Sequence, residues 1–271
     1  MFKYWFIDKK DQIQIAKDHS FIDNLKFDFK YKTTRKEIDY LDLGYTLDPW
    51  LIQLRIRLRE LRFSIINFIY FYNKNIDDRT ICDLGEDNGR FFPNLSDEGR
   101  GYLFQLNYFY GNFQVQYISI IDALYHVLNI YYDINVDGSF GFNKNIIKKV
   151  KMKNQGISNR LENFWKDCKI SRYRNDKIHN YDPNIPDKGY DESRKGVIMH
   201  YCPRYIHSKE KYELLNEECI KMEQLLKDIK RYMGKDTNKH LDRVDVKVDY
   251  NKPKSVDKVK GQYKRKKRKT K

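Results

Sequence analysis

The sequence predicts an all-α protein: a helical bundle with a mixed N-terminal cap and a disordered basic C-terminal tail. Apolar residues recur at helical spacing in several long segments, few segments alternate as strands do, and basic residues concentrate at the C-terminal end. At 271 residues, 40% of them hydrophobic, the chain is long enough to bury a core. We expect a cap over residues 1–47, a helical domain over 48–235 and a flexible tail over 236–271.

The first long helix is predicted to begin at Asp48 and Pro49, after a cap that shows no clear period. Aspartate is a good N-cap, and proline is tolerated at the first helical position. The apolar face of this helix comprises Leu51, Leu54, Leu58, Leu61, Ile65, Phe68 and Tyr72. Its opposite side carries a basic stripe of Arg55, Arg59 and Arg62. This stripe is either a surface for a polyanion or a face that is solvated or ion-paired.

A loop rich in Asp, Asn and Gly over 74–101 precedes a second helix, predicted over about 113–133. The wide apolar stripe of this helix indicates that it is central and largely buried. Asp122 and His126 lie four residues apart on it, and we interpret them as a structural polar pair.

The third helix is predicted to begin at Ser158 and to run directly into an arginine-rich segment. Residues 180–183 and Pro186 would then stop it. After a Gly/Pro/Asp-rich connector to about residue 210, a fourth helix is expected to end at Gly234. Its apolar stripe comprises Leu215, Cys219, Met222, Leu226, Ile229 and Met233.

Metal, cofactor and membrane signals are weak in this sequence. The four cysteines show no close pairing, so neither a disulfide framework nor a CxxC zinc site is indicated. His200, Cys202 and His207 lack a fourth zinc ligand close in sequence. Gly-rich phosphate loops are absent, and no apolar run reaches the roughly 18 residues that span a bilayer. We therefore expect a cytoplasmic protein without a metal, a cofactor or a membrane contact.

The positive charge of the chain is concentrated in its tail. The formal net charge is +15, of which residues 252–271 carry +10 and the other residues only +5. Such a segment buries no apolar area and attracts polyanions without sequence preference. It is either a nucleic-acid-binding tail or a solubilising terminus. The densest basic residues are Lys264, Arg265, Lys266, Lys267 and Arg268.

The most informative segment is 171–180, which closes the third predicted helix. Arg174, Asn175 and His179 combine a fixed cation, an amide and a group that titrates near neutral pH. A site that holds a phosphate and moves a proton beside it uses such groups. The simpler interpretation is a helix end whose Arg and His cap carbonyls and meet solvent.

A second Arg-to-His pair, with one more intervening residue, occurs at Arg194 and His200. Arg194 is followed by a lysine and a glycine outside any helical period, whereas Arg174 precedes the polar Asn175 at the end of an amphipathic run. We therefore favour Arg174 and discard Arg194.

On an ideal helix, Arg172 and Arg174 lie at different angles from His179. Arg172, Asn175 and His179 fall on one helix face, so Arg172 is a secondary contact. Arg174 lies about 140° from His179 on an ideal helix. These two side chains can share one small site only if the helix frays or a second copy of the chain contributes.

The segment resembles the Arg-polar-x(n)-His signature of the HEPN superfamily, whose members include metal-independent RNases of toxin and anti-phage systems. The resemblance implies a homodimer with a composite site that cuts RNA by attack of the ribose 2′-hydroxyl. His179 would be the acid or base, Arg174 the phosphate clamp and Asn175 an orienting group. An antitoxin or defence-system partner would also be expected.

A second hypothesis is a non-catalytic HEPN-like module that binds RNA or a protein. Its affinity would come from the tail and from the arginine stripe Arg55, Arg59 and Arg62, with Arg174 and His179 contributing little.

Overall fold

Seven helices make up almost all of the described chain, which is taken from a computed structural model. The structure describes residues 7–30, 37–78, 95–138, 141–171, 189–191, 199–201 and 206–241. The helices are α1 (Lys9–Asp18), α2 (Phe21–Asn24), α3 (Glu37–Tyr72), α4 (Asp97–Tyr131), α5 (Phe142–Lys153), α6 (Gln155–Asp167) and α7 (Ser208–Leu241). Strands β1 (Gly189–Asp191) and β2 (Met199–Tyr201) form a short antiparallel ribbon. The predicted all-α class is confirmed.

Helices α3 and α4 form the antiparallel centre of the molecule. At one end the ring of Phe68 lies 5.6 Å from that of Tyr110, and at the other Trp50 stacks on His126 at 3.8 Å. Both helices bury long apolar stripes, and each fully buried large side chain contributes about 1.5–3 kcal/mol. The predicted apolar face of α3 is buried from Leu51 to Phe68.

Helix α7 lies beside α4 and runs in the same direction. The hydroxyl of Tyr117 donates to the Glu218 carbonyl at 3.0 Å, and that of Tyr131 donates to the Met233 carbonyl at 2.9 Å. Helices α1 and α2 pack against α3, and α2 also contacts α7. No described helix combines the length and the apolar content that crossing a membrane requires.

Helices α5 and α6 form a hairpin around Asn154. This residue ends α5, and its side-chain oxygen accepts from the backbone N–H of Ile157 at 3.1 Å to cap α6. The Ser158 hydroxyl then donates to the Ile147 carbonyl at 3.2 Å, which joins the two helices. The predicted start of a helix at Ser158 is therefore wrong by three residues, because Asn154 is the cap and Ser158 is buried.

The predicted start of the first long helix is also wrong. Helix α3 begins at Glu37, and Pro49 lies inside it. A proline removes one helical hydrogen bond but keeps a helical φ. Leu47 and Leu51 are both buried, so packing holds the helix on either side of Pro49.

Helix α4 begins at Asp97 rather than near residue 113, so its first turn lies where the sequence predicts the end of a loop. The Ser96 hydroxyl accepts from the Gly99 N–H at 3.1 Å and caps the helix, whose acidic first turn suits the positive end of the helix dipole. Leu103 and Leu106 extend the buried stripe.

Helix α7 does not end at Gly234, as the sequence predicts, but continues to Leu241. A helical glycine costs roughly 0.5–1 kcal/mol relative to alanine, which is too little to stop a helix that packs along its length. Residues 242–271, with the basic cluster of the tail, lie outside the described residues. The division into cap, helical domain and tail stays a prediction.

Candidate active site

Helix α6 does not run directly into the arginine-rich segment, which corrects the prediction. It ends at Asp167, Cys168 is extended, and helical backbone resumes at Ile170 and Ser171. The Lys221 ammonium donates a hydrogen bond to the Asp167 carbonyl, at the end of α6, at 3.0 Å. Lys221 on α7 therefore contacts the chain at the point where α6 ends.

The predicted catalytic residues follow this break. Arg172, Arg174, Asn175 and His179 lie outside the described residues, so the structure shows how the chain approaches the motif and no further. Ile170 is fully buried, and this residue anchors the approach in the core.

An ion network on α7 holds the approach segment. Lys169 pairs with Glu217 at 2.8 Å, and Lys221 pairs with Glu217 at 2.9 Å and with Glu218 at 2.8 Å. Glu218 has no exposed surface, and its carboxylate, 3.1 Å from the Tyr117 hydroxyl, shares the single hydrogen of that hydroxyl with its own main-chain carbonyl. The residues just before the motif are thus tied to both α7 and α4.

The charges of this network are mutually stabilised. Hydrogen bonds from Lys169 and Lys221 lower the pKa of Glu217. Burial opposes the charge on Lys221, but its bonds to Glu218 and Glu217 outweigh that effect and raise its pKa. Glu217 and Lys221 therefore stay ionised across the neutral range.

Cys168 contributes no nucleophile to this region. Burial raises the pKa of its thiol to about 11, although the backbone N–H groups of Ser171 and Ile170 oppose the shift. Because the thiolate is the reactive form, the thiol is inert at neutral pH.

A shallow cleft lies between α6 and α7 beside the approach segment. Its lining comprises Arg160, Asn163, Phe164, Asp167, Lys221, Gln224 and Leu225. Arg160 is paired with the carboxylate of Asp228, which also accepts from the Gln224 amide at 3.0 Å. Burial opposes the charge of Asp228, but Gln224 and Arg160 lower its pKa. Carboxylates already neutralise the cations of the cleft, so it is a poor phosphate site.

The arginine stripe is available at the surface of α3. Arg55 and Arg59 are exposed, Arg62 is half-buried, and within the described ranges none of the three forms an ion pair. The Arg55 guanidinium donates to the Leu51 carbonyl at 3.2 Å. Among the described residues these arginines are therefore not ion-paired, and both a solvated face and a surface for a polyanion agree with their contacts.

His126 is structural, although its partners differ from those predicted. Its ring lies between Trp50, at 3.8 Å, and Phe142, at 4.6 Å. Asp122 instead accepts from the Asn143 amide at 3.2 Å. Burial lowers the pKa of His126, so the ring is neutral and packs as an aromatic group.

The histidine at the start of α7 is also structural. The Nδ1 atom of His207 lies 2.7 Å from the Asp78 carbonyl oxygen. The Asp78 carboxylate accepts from the Ser208 N–H at 2.8 Å and from its hydroxyl at 2.9 Å, which caps α7. No cluster of three metal-ligating side chains occurs in the part of the chain that the structure describes.

Sequence reasoning missed the residues that hold the approach segment. Glu217, Glu218 and Lys221 contain an acid-to-lysine spacing of three and four residues, which indicates only a local helix pair. Their contacts with Tyr117 and Lys169 join residues that are distant in sequence, so no local sequence pattern predicts these contacts.

Comparison with known proteins bears on the motif. The model of the Cthe2314-like HEPN family matches residues 50–230, which is more than half of the chain. The match extends from α3 to α7 and includes the segment with Arg174 and His179. No curated protein and no solved structure matched. The family match, together with the helical architecture, shows that this chain belongs to the Cthe2314-like HEPN family.

Proposed function

We propose that this protein is a metal-independent endoribonuclease of a toxin or abortive-infection type. The observation that carries the proposal is the sequence Arg174-Asn175 followed by His179, inside the range that matches the HEPN family model. HEPN membership alone is also compatible with a binding module, so the proposal depends on these side chains.

The reaction needs only groups that the motif supplies. His179 removes the proton of a ribose 2′-hydroxyl, and the oxygen attacks the adjacent phosphorus. The bond from phosphorus to the 5′-oxygen breaks, that oxygen takes a proton from a His179 imidazolium, and a cyclic phosphate forms. Arg174 stabilises the charge that builds on the phosphoryl oxygens, and Asn175 orients the histidine or the backbone. DNA lacks the attacking hydroxyl and is not a substrate.

The described surroundings support this role for the segment. Residues 167–169 are fixed to α7 at two points. Lys169 pairs with Glu217, and Lys221, itself paired with Glu218, donates to the Asp167 carbonyl. A rigid support on the preceding residues keeps catalytic side chains in position.

The site is proposed to be a composite of two chains. Since Arg174 and His179 diverge by about 140° on an ideal helix, one motif alone does not bring them together. Two motifs that meet across a two-fold axis place an arginine of one chain near the histidine of the other. An antitoxin or defence-system protein would act on this dimer.

The chain offers its own matched control for a cleavage test. With a single-stranded RNA and EDTA, we expect the wild type to cut, His179→Ala to lose at least about 100-fold in rate and Arg174→Ala about as much. His200→Ala and Arg194→Ala, the discarded pair with one more intervening residue, should cut like the wild type. Continued cutting by His179→Ala, or a strict need for a divalent metal, contradicts the mechanism.

The non-catalytic alternative is favoured by the net charge of +10 on residues 252–271. It predicts no cleavage by any variant, RNA binding that is unchanged in Arg174→Ala and His179→Ala, and loss of most binding when 252–271 is deleted. The same set of proteins therefore separates the two functions.

A further inference from the structure

Helix α5 has an unusual charge composition. Its twelve residues contain five lysines and no acidic residue. The lysines are Lys144, Lys148, Lys149, Lys151 and Lys153.

Packing turns this helix so that the lysines face solvent. Ile146 and Val150 are fully buried, and the ring of Phe142 stacks against that of His126 at 4.6 Å. These contacts fix α5 against α4, and all five lysines are exposed.

Carboxylates do not neutralise these lysines. Within the described ranges none of the five forms an ion pair, in contrast to Lys221 or Lys227 on α7. Among these lysines, Lys149 is the one with a side-chain hydrogen bond to another described residue, as its ammonium donates to the Ile134 carbonyl at 3.3 Å.

Helix stability accounts for only part of the pattern. Lys151 and Lys153 lie in the last turn, where cations suit the negative end of the helix dipole. Lys144 lies in the first turn, where the dipole opposes a cation, and it repels Lys148 four residues later. Lys148 in turn repels Lys151 at a spacing of three.

We propose that the exposed face formed by Lys144, Lys148 and Lys151 binds the phosphate backbone of RNA. This inference rests on the proposed function, which makes RNA the ligand, and it adds a binding surface outside the motif and the arginine stripe. Spacings of four and three residues align the ammonium groups along about 10 Å of one helix face. Lysines act on phosphates as point charges, so the contact is independent of base sequence.

RNA fits this face better than a lipid surface does. A helix that binds a bilayer inserts its apolar face between the lipids. In α5 that face, with Ile146 and Val150, is already buried in the core. Met152 is the one large apolar side chain of α5 that is well exposed, at 78%.

The test compares two triple variants of the full chain, each in a His179→Ala background so that the RNA stays intact. The first is Lys144→Gln, Lys148→Gln and Lys151→Gln. The control is Lys9→Gln, Lys10→Gln and Lys17→Gln, which removes the same charge from exposed positions on α1. Glutamine is a good helix former, so α5 should stay helical, which circular dichroism checks.

Binding of a fluorescent single-stranded RNA is measured by anisotropy over a range of salt. For the α5 variant we expect roughly tenfold weaker binding at 100 mM salt and a slope of log K against log salt smaller by about 2, at about 0.7 per lost phosphate contact. The α1 control should keep the slope of its parent.

An unchanged slope in the α5 variant, or equal losses in both variants, overturns the proposal. So does loss of binding to phosphatidylserine vesicles with RNA binding intact, since the face would then serve a membrane. The nuclease proposal fails on a different result, continued cutting by His179→Ala, so the two failures are distinguishable.

Discussion

Glu218 is a carboxylate without exposed surface, held between a phenol on α4 and an ammonium on its own helix. Such a group is tolerated only when its hydrogen bonds are satisfied. Burial raises the pKa of Tyr117 well above its ordinary value, so its hydroxyl remains a donor at every pH of interest. The Tyr117 hydroxyl is therefore a structural part of the network that holds residues 167–169.

Removing that hydroxyl should destabilise the fold. Tyr117→Phe leaves Glu218 with one donor fewer in a buried place, and we expect the free energy of unfolding to fall by roughly 1–3 kcal/mol. Urea unfolding followed by circular dichroism measures the change. Tyr108→Phe, which removes a hydroxyl from a side chain that is 53% exposed, should stay within about 0.5 kcal/mol of the wild type. Equal effects of the two substitutions would mean that Glu218 does not need Tyr117.

For the helices, the sequence predicts well which residues form a wide apolar stripe, but it predicts poorly where each helix begins and ends. The apolar residues expected on the first and fourth predicted helices are nearly all buried, because a period of 3.6 residues reports one buried face directly. Pro49 and Gly234 are not helix boundaries, since tertiary packing on both sides outweighs their local cost. The sequence does not predict helix α5, because its buried stripe consists of Ile146 and Val150 and its many lysines obscure the helical period.

Two helical glycines test this balance between local and tertiary effects. A Cβ at Gly156, in α6, would lie 2.7 Å from the ring of Tyr232 on α7, whereas a Cβ at Gly234 would meet nothing within 4 Å. We expect Gly234→Ala to raise the free energy of unfolding by roughly 0.5–1 kcal/mol. Gly156→Ala should lower it by about 1 kcal/mol, because overpacking outweighs the gain in helix propensity.

Thermal or urea unfolding of both glycine variants gives the comparison. Adding Tyr232→Leu to Gly156→Ala should recover most of the loss, since the clash is with the ring. If Gly156→Ala is as stabilising as Gly234→Ala, then α6 and α7 do not approach as closely as described.

For the whole molecule, the candidate site combines information of two kinds. The motif Arg174, Asn175 and His179 is local in sequence, and its chemistry can be predicted from residue types and a family resemblance. The contact of the preceding residue Lys169 with α7 depends on chain folding across about 50 residues, which no local pattern encodes. The lysine face of α5 likewise depends on tertiary packing, because packing decides which side of that helix faces solvent.

The composite site makes a prediction about the assembly. If cleavage needs motifs from two chains, the active species is a dimer of about 66 kDa, twice the 33.0 kDa of one chain. Sedimentation velocity and the cleavage rate per chain should then change together on dilution, with the rate falling at the concentration at which the dimer dissociates. His179→Ala should sediment like the wild type, because it removes the chemistry and not the interface. A full cleavage rate per chain at a concentration where the protein sediments as a monomer would contradict the composite site, and one chain would then have to bring Arg174 and His179 together through a local break in the helix.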